Sequence, residues 1–276
     1  MKLSTIYKKR PRDARKGDFG KLLVIGGSFR YTGAPIFNAI AALRTGCDLV
    51  TIAAPERAAD ISASFLPDLM TYPLSGTHLI PAHIPTILEL SAWASAIVLG
   101  GGLGQSEETK DAVATLARAI KKPLVVDADG LTLLVPSNYS FEDQRVIFTP
   151  HAGELGHLLG EEVPDEQHLS ARKEMVKKAA SAWNVTILLK GYRDIVSDGS
   201  RIVVDQNDSP FLTKGGIGDI LAGVCGGFLA RGITPFDAAC AAAVIVGQAG
   251  KHAAKTFGES LLASDVLDAL VDVVPQ

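Results

Sequence analysis

Ala96-Ile97-Val98-Leu99-Gly100-Gly101-Gly102-Leu103-Gly104 carries four apolar residues straight into a glycine-rich bend. A short run that is apolar throughout reads as a strand buried on both faces, and the glycines behind it as a loop at its carboxyl end. The same pattern occurs upstream, where Leu22 to Ile25 enters Gly26-Gly27-Ser28. Working outward, Pro35 to Arg44 is alanine-rich with apolar residues recurring on one face, Gly46 closes it, and Leu49 to Ala53 is the next apolar run. That is a strand, a helix and a strand. Glu107 to Ile120 has the helical period and leads into a strand at Leu124 to Val126. Further strands are predicted at Val146 to Phe148 and Thr186 to Leu189, with a helix from about Ser170 to Trp183 between them. Alternation at this spacing predicts an α/β fold: a mostly parallel central sheet flanked by helices on both faces. Tyr192 to Val196 and Arg201 to Val204 flank Ser197-Asp198-Gly199-Ser200, which adds an antiparallel hairpin. Helices then dominate, over Ile217 to Ala230, Pro235 to Phe257 in one or two pieces, and Ala263 to Val273.

The chain has 276 residues, 47% of them hydrophobic, enough for one large buried core. Gly and Pro punctuate its whole length and no linker-like stretch interrupts it, so residues 1–276 are expected to form a single domain. With 27 basic and 30 acidic side chains the net charge is −3, which supplies no broad positive field for nucleic acid or anionic lipid. The densest basic cluster is Lys8, Lys9, Arg10, Arg12, Arg15 and Lys16; it reads as a solvated arm or as a guide for a phosphorylated ligand. Cys47, Cys225 and Cys240 sit in apolar surroundings without metal-ligand spacing, as reduced core residues of a cytoplasmic protein do. No signal peptide, membrane span, internal repeat or low-complexity segment is expected.

The strongest chemical signal is Lys214-Gly215-Gly216-Ile217-Gly218-Asp219 ahead of an apolar helix that also carries Gly223, Gly226 and Gly227. Free N–H groups at a helix start cradle phosphate, and glycines such as Gly216 and Gly218 let a phosphoryl group approach them. Asp219 is placed either to orient and deprotonate a hydroxyl, although the positive helix end weakens it as a base, or to cap the helix. The run is no P-loop, since no Gly-Lys-Ser or Gly-Lys-Thr ends it. Other polar residues fall at strand ends, where open α/β sheets bind ligands. Thr149-Pro150-His151-Ala152-Gly153-Glu154 follows the strand ending at Phe148; His151 is a candidate donor to substrate, and Glu154 orders a cation or caps the next helix. Asp127 and Asp129 supply carboxylates for Mg2+, directly or through water, unless they form only an acidic turn. Lys190-Gly191 suits passage along a nucleotide with a lysine to offset phosphate charge, or an ordinary surface turn.

In this order the elements resemble the ADP- or ATP-dependent NAD(P)H-hydrate dehydratases, a ribokinase-like family that repairs damaged nicotinamide cofactors. The likeness covers nearly the whole chain. It is carried by Lys16-Gly17-Asp18-Phe19-Gly20, Gly26-Gly27-Ser28, Gly33-Ala34 and Ala41-Ala42-Leu43-Arg44-Thr45-Gly46, then by Gly100-Gly101-Gly102-Leu103 and Asp127-Ala128-Asp129. Thr149 to Glu154, Lys190-Gly191 and the run Gly215 to Asp219 complete it. The resemblance implies that Ala34, Gly102, His151 and Asp219 face the hydrated dinucleotide, NADH hydrate or NADPH hydrate. It implies that Lys190, Gly191, Tyr192, Arg193, Asp194 and Gly218 contact the nucleotide of the donor, ADP or ATP. Asp219 becomes the catalytic base, and Mg2+ assists the donor. The reaction implied phosphorylates the hydroxyl that water has added to the ring and then eliminates phosphate. Ile217 stands where the family usually has Thr, and Ala152 where it usually has Pro. The epimerase domain often fused in this family has no room here, so epimerisation is expected from a separate partner, and a homotetramer is expected. Two other readings compete: a vitamin-precursor kinase of the same fold, and a nucleotide-binding regulatory protein without turnover.

Overall fold

The computed structural model describes residues 3–7, 9–134, 141, 145–206 and 209–275. Among the described residues nine strands form one sheet: β1 (Lys21–Ile25), β2 (Leu49–Pro55), β3 (Met70–Leu74), β4 (Ala96–Leu99), β5 (Leu124–Val126), β6 (Val146–Phe148), β7 (Thr186–Leu189), β8 (Arg193–Ser197) and β9 (Ile202–Gln206). Their spatial order is β3-β2-β1-β4-β5-β6-β7-β8-β9. Neighbours from β3 to β7 are parallel, while β7 with β8 and β8 with β9 are antiparallel.

Successive side chains of each inner strand enter opposite cores. Leu22 and Val24 pack with α1 (Ala34–Arg44), α2 (Glu56–Phe65), α8 (Ile217–Ala230), α9 (Pro235–Phe257) and α10 (Ala263–Val273). Leu23 and Ile25 pack on the other face with α3 (Ile84–Trp93), α4 (Glu107–Ala119), α5 (Asp129–Leu133), α6 (Ala152–Leu159) and α7 (Leu169–Trp183). A strand apolar at every position is therefore the sequence signature of a sheet covered twice. The expected helix over Pro235 to Phe257 is one continuous piece. Both hairpin strands start one residue later than the sequence suggests, β9 runs on to Gln206, and Ser197 belongs to β8, where its Oγ donates to the Arg201 carbonyl at 2.7 Å.

Between Ala53 and Ala96 the sequence predicts no element, and the structure holds four there: α2, β3, a 3-10 turn at Pro81–His83 and α3. The reason is physical. β3 is an edge strand with Pro73 inside it and Met70 and Tyr72 exposed, so it lacks the uninterrupted apolar run of an inner strand.

α8 crosses α1 at close range. A Cβ on Gly223 would stand 2.6 Å from Asn38 Cα, and one on Gly227 would stand 3.0 Å from Ala42 Cα. Only glycine allows backbones that near. Gly223 and Gly227 thus serve packing, while Gly215 meets nothing within 4 Å and opens on solvent.

The basic cluster lies at the opposite end of the sheet from the glycine loops. Arg10 bonds Asp48 at 2.9 Å and the Gly46 carbonyl at 2.7 Å, both at the amino end of β2, and its guanidinium stacks 3.9 Å from the Phe19 ring centroid. Arg12, Arg15 and Lys16 are exposed there, and Lys8 lies outside the described residues. The arm reading holds, and the ligand-guiding one is corrected by distance: parallel strands put the carboxyl-edge loops a full strand length away. Among the described residues, no helix is long and apolar enough to cross a membrane.

Candidate active site

The carboxyl ends of β4, β5, β6 and β7 and the start of α8 converge on one cleft. Gly100 closes β4 against the Asp127 carbonyl so tightly that no Cβ fits. Asp127, directly after β5 and 2% exposed, accepts from Thr149 Oγ1 at 2.7 Å and from Lys190 Nζ at 2.8 Å. Three adjacent strand ends are thereby tied through a single carboxylate. The Lys190 side chain, 20% exposed, also stands 3.7 Å from Glu154 Oε2, so it is no surface lysine of an ordinary turn. Burial disfavours its charge, yet Asp127 and Glu154 outweigh this and hold its pKa above the ordinary value.

His151 and Glu154 cap α6 reciprocally. His151 Nδ1 accepts from the Glu154 N–H at 3.1 Å, and Glu154 Oε2 accepts from the His151 N–H at 2.7 Å. That arrangement places the imidazole proton on Nε2, at an exposed ring edge. Asp129 Oδ2 accepts from the Gly104 N–H at 2.9 Å and its Oδ1 from Gln105 at 3.1 Å. Between the two aspartates Ala128 adopts φ +50°, a strained conformation for a residue with a Cβ.

α8 opens with Gly216 at φ +98° as its N-cap, where glycine carries no penalty. Asp219 sits in the first turn, and no side-chain capping bond is made there. The helix end, which on sequence grounds should weaken this carboxylate as a base, is overruled. Burial first, then the negative charges of Asp127, Asp129 and Glu154, push the Asp219 carboxyl from 3.8 up to about 7 against the attraction of Lys190.

Two cavities meet at this turn. One of about 330 Å³ is lined by His151, Lys190, Gly191, Tyr192, Asp194 and Gly218, with Ile217, Leu212, Leu221 and Val246 as its apolar wall. Ile217 therefore contributes a buried hydrocarbon surface where a Thr would add a hydroxyl. The other, of about 540 Å³, is lined by Ala34, Gly102, Gly216 and Asp219 together with Arg30 and Tyr31. Most of the sequence-derived residues thus sort into two groups, while Asp127 and Glu154 line neither cavity, and two further placements depart from expectation. His151 lines the smaller cavity and not the larger. Arg193 lines neither, and its guanidinium lies 5.9 Å from the Tyr192 ring centroid. Asp194 holds the loop shape instead, accepting from the Gly191 N–H at 3.0 Å.

Sequence reasoning gave Thr149 no role of its own within its strand-end motif, and it missed Arg30, Tyr31 and Asn38, whose Nδ2 donates to the Asp219 carbonyl at 2.6 Å. A polar residue inside the otherwise apolar stretch Pro35 to Leu43 was the available signal for the last. Among the described residues, no three His, Cys, Asp or Glu side chains converge closely enough to hold a metal by themselves. Asp127 and Asp129 already accept protein hydrogen bonds.

The family model for NAD(P)H-hydrate dehydratase matches residues 22–272. The bifunctional NAD(P)H-hydrate repair enzyme Nnr of Pyrobaculum aerophilum is 42% identical over 267 residues, covering 96% of this chain and 52% of that protein. The chain thus spans about half the length of the first curated relatives it matches. The ADP-dependent (S)-NAD(P)H-hydrate dehydratase of Cenarchaeum symbiosum is 37% identical over 273 residues, covering 96% of this chain and 92% of that one. The crystal structure of the Bacillus subtilis ADP/ATP-dependent NAD(P)H-hydrate dehydratase with ATP and Mg2+ superposes with a TM-score of 0.81 at 25% identity, over 98% of this chain and 94% of that one. Matched along nearly its whole length, with a ribokinase-like sheet and a paired cleft at the carboxyl edge, the chain belongs to the NAD(P)H-hydrate dehydratase family.

Proposed function

We propose that the protein restores NAD(P)H from its S-configured hydrate, with ADP or ATP as phosphate donor. The observation that carries this reading is the half-buried Asp219 carboxyl at the boundary of two cavities, with Gly218 facing one and Asp219 the other. The donor nucleotide occupies the smaller cavity, its base against the apolar wall and its phosphates toward Lys190 and the N–H groups at the start of α8. The hydrate occupies the larger one, where Arg30 is the cation among the lining residues and suits a dinucleotide's phosphates.

Asp219 takes the proton of the ring hydroxyl as that oxygen attacks the terminal phosphoryl group, and the shortened nucleotide leaves. Phosphate then departs with the C–O bonding pair, assisted by the ring nitrogen, and the neighbouring ring carbon gives up a proton to close the double bond. Phosphate is a far better leaving group than hydroxide, which is why a donor is consumed. Mg2+ would be held chiefly by the donor's own phosphates, with Asp127, Asp129 and Glu154 as the neighbouring carboxylates that would favour it there. Such an ion neutralises charge on the phosphates.

The same reading includes one catalytic domain over residues 1–276, a homotetramer and a cytoplasmic location. Phe257, Leu262 and Val271 offer exposed apolar surface near the C-terminus for assembly, and the three buried free cysteines suit a reducing compartment. Incubation with S-configured NADH hydrate, Mg2+ and ADP or ATP is expected to restore NADH absorbance and release one phosphate per turnover. A product that keeps its phosphate would instead identify a small-molecule kinase. Absence of turnover beside an active relative would identify a regulatory protein.

His151 is assigned to the hydrate through its Nε2–H, although its ring lines the nucleotide cavity. His151→Ala is therefore expected to raise KM for the hydrate several-fold and to leave the calorimetric affinity for ADP within about twofold, since one neutral hydrogen bond is worth roughly 1 kcal/mol. Equal losses for both ligands would move the residue to the donor side.

A further inference from the structure

Asn38 is 1% exposed, and only one end of its amide is satisfied. Nδ2 donates to the Asp219 carbonyl at 2.6 Å, which fixes the amide's orientation because a carbonyl can only accept. Oδ1 is buried without a hydrogen-bond partner. It points at the space above Gly101, where a Cβ would stand 2.7 Å from Asp219 Oδ1 and 3.2 Å from Asn38 Oδ1. The carboxyl oxygen and the orphaned amide oxygen thus border the same space, which the Ala34 Cβ also approaches at 3.2 Å. The close crossing of Gly223 on Asn38 keeps α1 from sliding away.

Two such oxygens repel when Asp219 is ionised and attract when it carries a proton. A buried acceptor with no partner is costly, and a protonated Asp219 carboxyl bordering the same space would relieve that cost during a catalytic cycle. We propose that Asn38 is a positioning residue for Asp219: its amide N–H holds the first turn of α8 through the main chain, and its Oδ1 accepts the carboxyl proton whenever Asp219 has taken one from substrate. The rest of the setting is charged: Asp127, Asp129 and Glu154 oppose ionisation of Asp219 and Lys190 favours it. Asn38 adds a neutral acceptor from the helix layer, opposite the strand ends that carry those charges. This role rests on Asp219 being the base of the reaction proposed above.

The test titrates Asp219 directly, by infrared difference spectroscopy of its carboxyl stretch in the ligand-free protein with Asp219→Asn as the blank. Asn38→Leu removes both amide functions, Asn38→Ala does so with less bulk should the first fail to fold, and Asn38→Ser restores a hydroxyl acceptor. Leu or Ala is expected to lower the Asp219 midpoint by about one pH unit and raise the frequency of the protonated carbonyl, with Ser in between. In turnover, kcat is expected to fall about tenfold and its acid limb to move to lower pH, with KM for the hydrate and affinity for ADP unchanged. A midpoint and carbonyl frequency identical to wild type in the Leu or Ala variant would overturn the proposal, whatever the substrate. A wild-type protein inactive on the hydrate but titrating as described would overturn the functional reading and leave the Asn38–Asp219 contact standing.

Discussion

Asp219→Asn is expected to fold, to bind both ligands, and to turn over about 100- to 10,000-fold more slowly, the range for loss of a general base. Asparagine keeps the size of the side chain and cannot accept the hydroxyl proton. The same substitution carries a second signature in stability. In the native protein Asp219 titrates at about 7, and its ordinary value is 3.8. The folded state therefore holds this proton more tightly than the unfolded chain does. The stabilising contribution is full below about 3.8, falls as pH rises, and is gone once pH passes about 7, leaving a buried charge that costs on the order of 4 kcal/mol. Asparagine bears no such charge. The variant should melt at a higher temperature than wild type at pH 8 and at nearly the same temperature at pH 4. For wild type the acid limb of kcat/KM should fall near pH 7, since the base works only when unprotonated. A stable variant keeping more than about a tenth of wild-type turnover would sink the assignment, and a pH-independent difference in melting would show that the carboxyl is not strained by burial.

The second large effect is expected at Lys190. Its Nζ neutralises Asp127 at 2.8 Å and stands 3.7 Å from Glu154, and both carboxylates are largely buried. Lys190→Met fills similar volume and leaves those charges uncompensated, a situation that costs about 3–5 kcal/mol when one partner of a buried pair is removed. Nucleotide affinity should fall with it, because the group that offsets the donor's phosphate charge has gone and like charge remains. Asp127→Asn in the same chain should recover most of the lost stability and little of the affinity. Calorimetry with ADP and denaturant melts on the two single variants and the double variant give the cycle. If the double variant is no more stable than Lys190→Met, the pair is not what destabilises the single mutant.

Much of this architecture was legible because inner strands and glycine loops announce themselves. Leu22 to Ile25 and Ala96 to Leu99 are apolar at every position, which only a doubly covered sheet requires, and each glycine loop marks the end at which the cleft opens. The region from Pro55 to Ser95 was not legible, since an edge strand holding Pro73 and exposed Tyr72 has no such pattern. In the site, residue types at strand ends were visible but their partnerships were not. Nothing local says that Asp127 binds Thr149 and Lys190, residues 22 and 63 positions away, or that Asn38 meets Asp219 across 181. The inference that a helix start would weaken Asp219 as a base failed for the same reason. The dipole is encoded within the helix, while the burial and carboxylates that outweigh it come from four other stretches of chain.

The placement of α8 sets an order on how the molecule comes into being. This helix covers the middle of the sheet face that carries Leu22, Val24 and Val98, and it starts only at Ile217, after β7 and the hairpin strands. A nascent chain emerging amino end first therefore has every parallel strand available while the central part of one sheet face is bare, with only α1 and α2 belonging to that layer. Neither cavity has its floor at that stage, so a ligand of either one cannot assist the early steps. The interval between synthesis of β7 and docking of α8 is when the chain is most open to aggregation, and a chaperone that shields apolar sheet surface would act there.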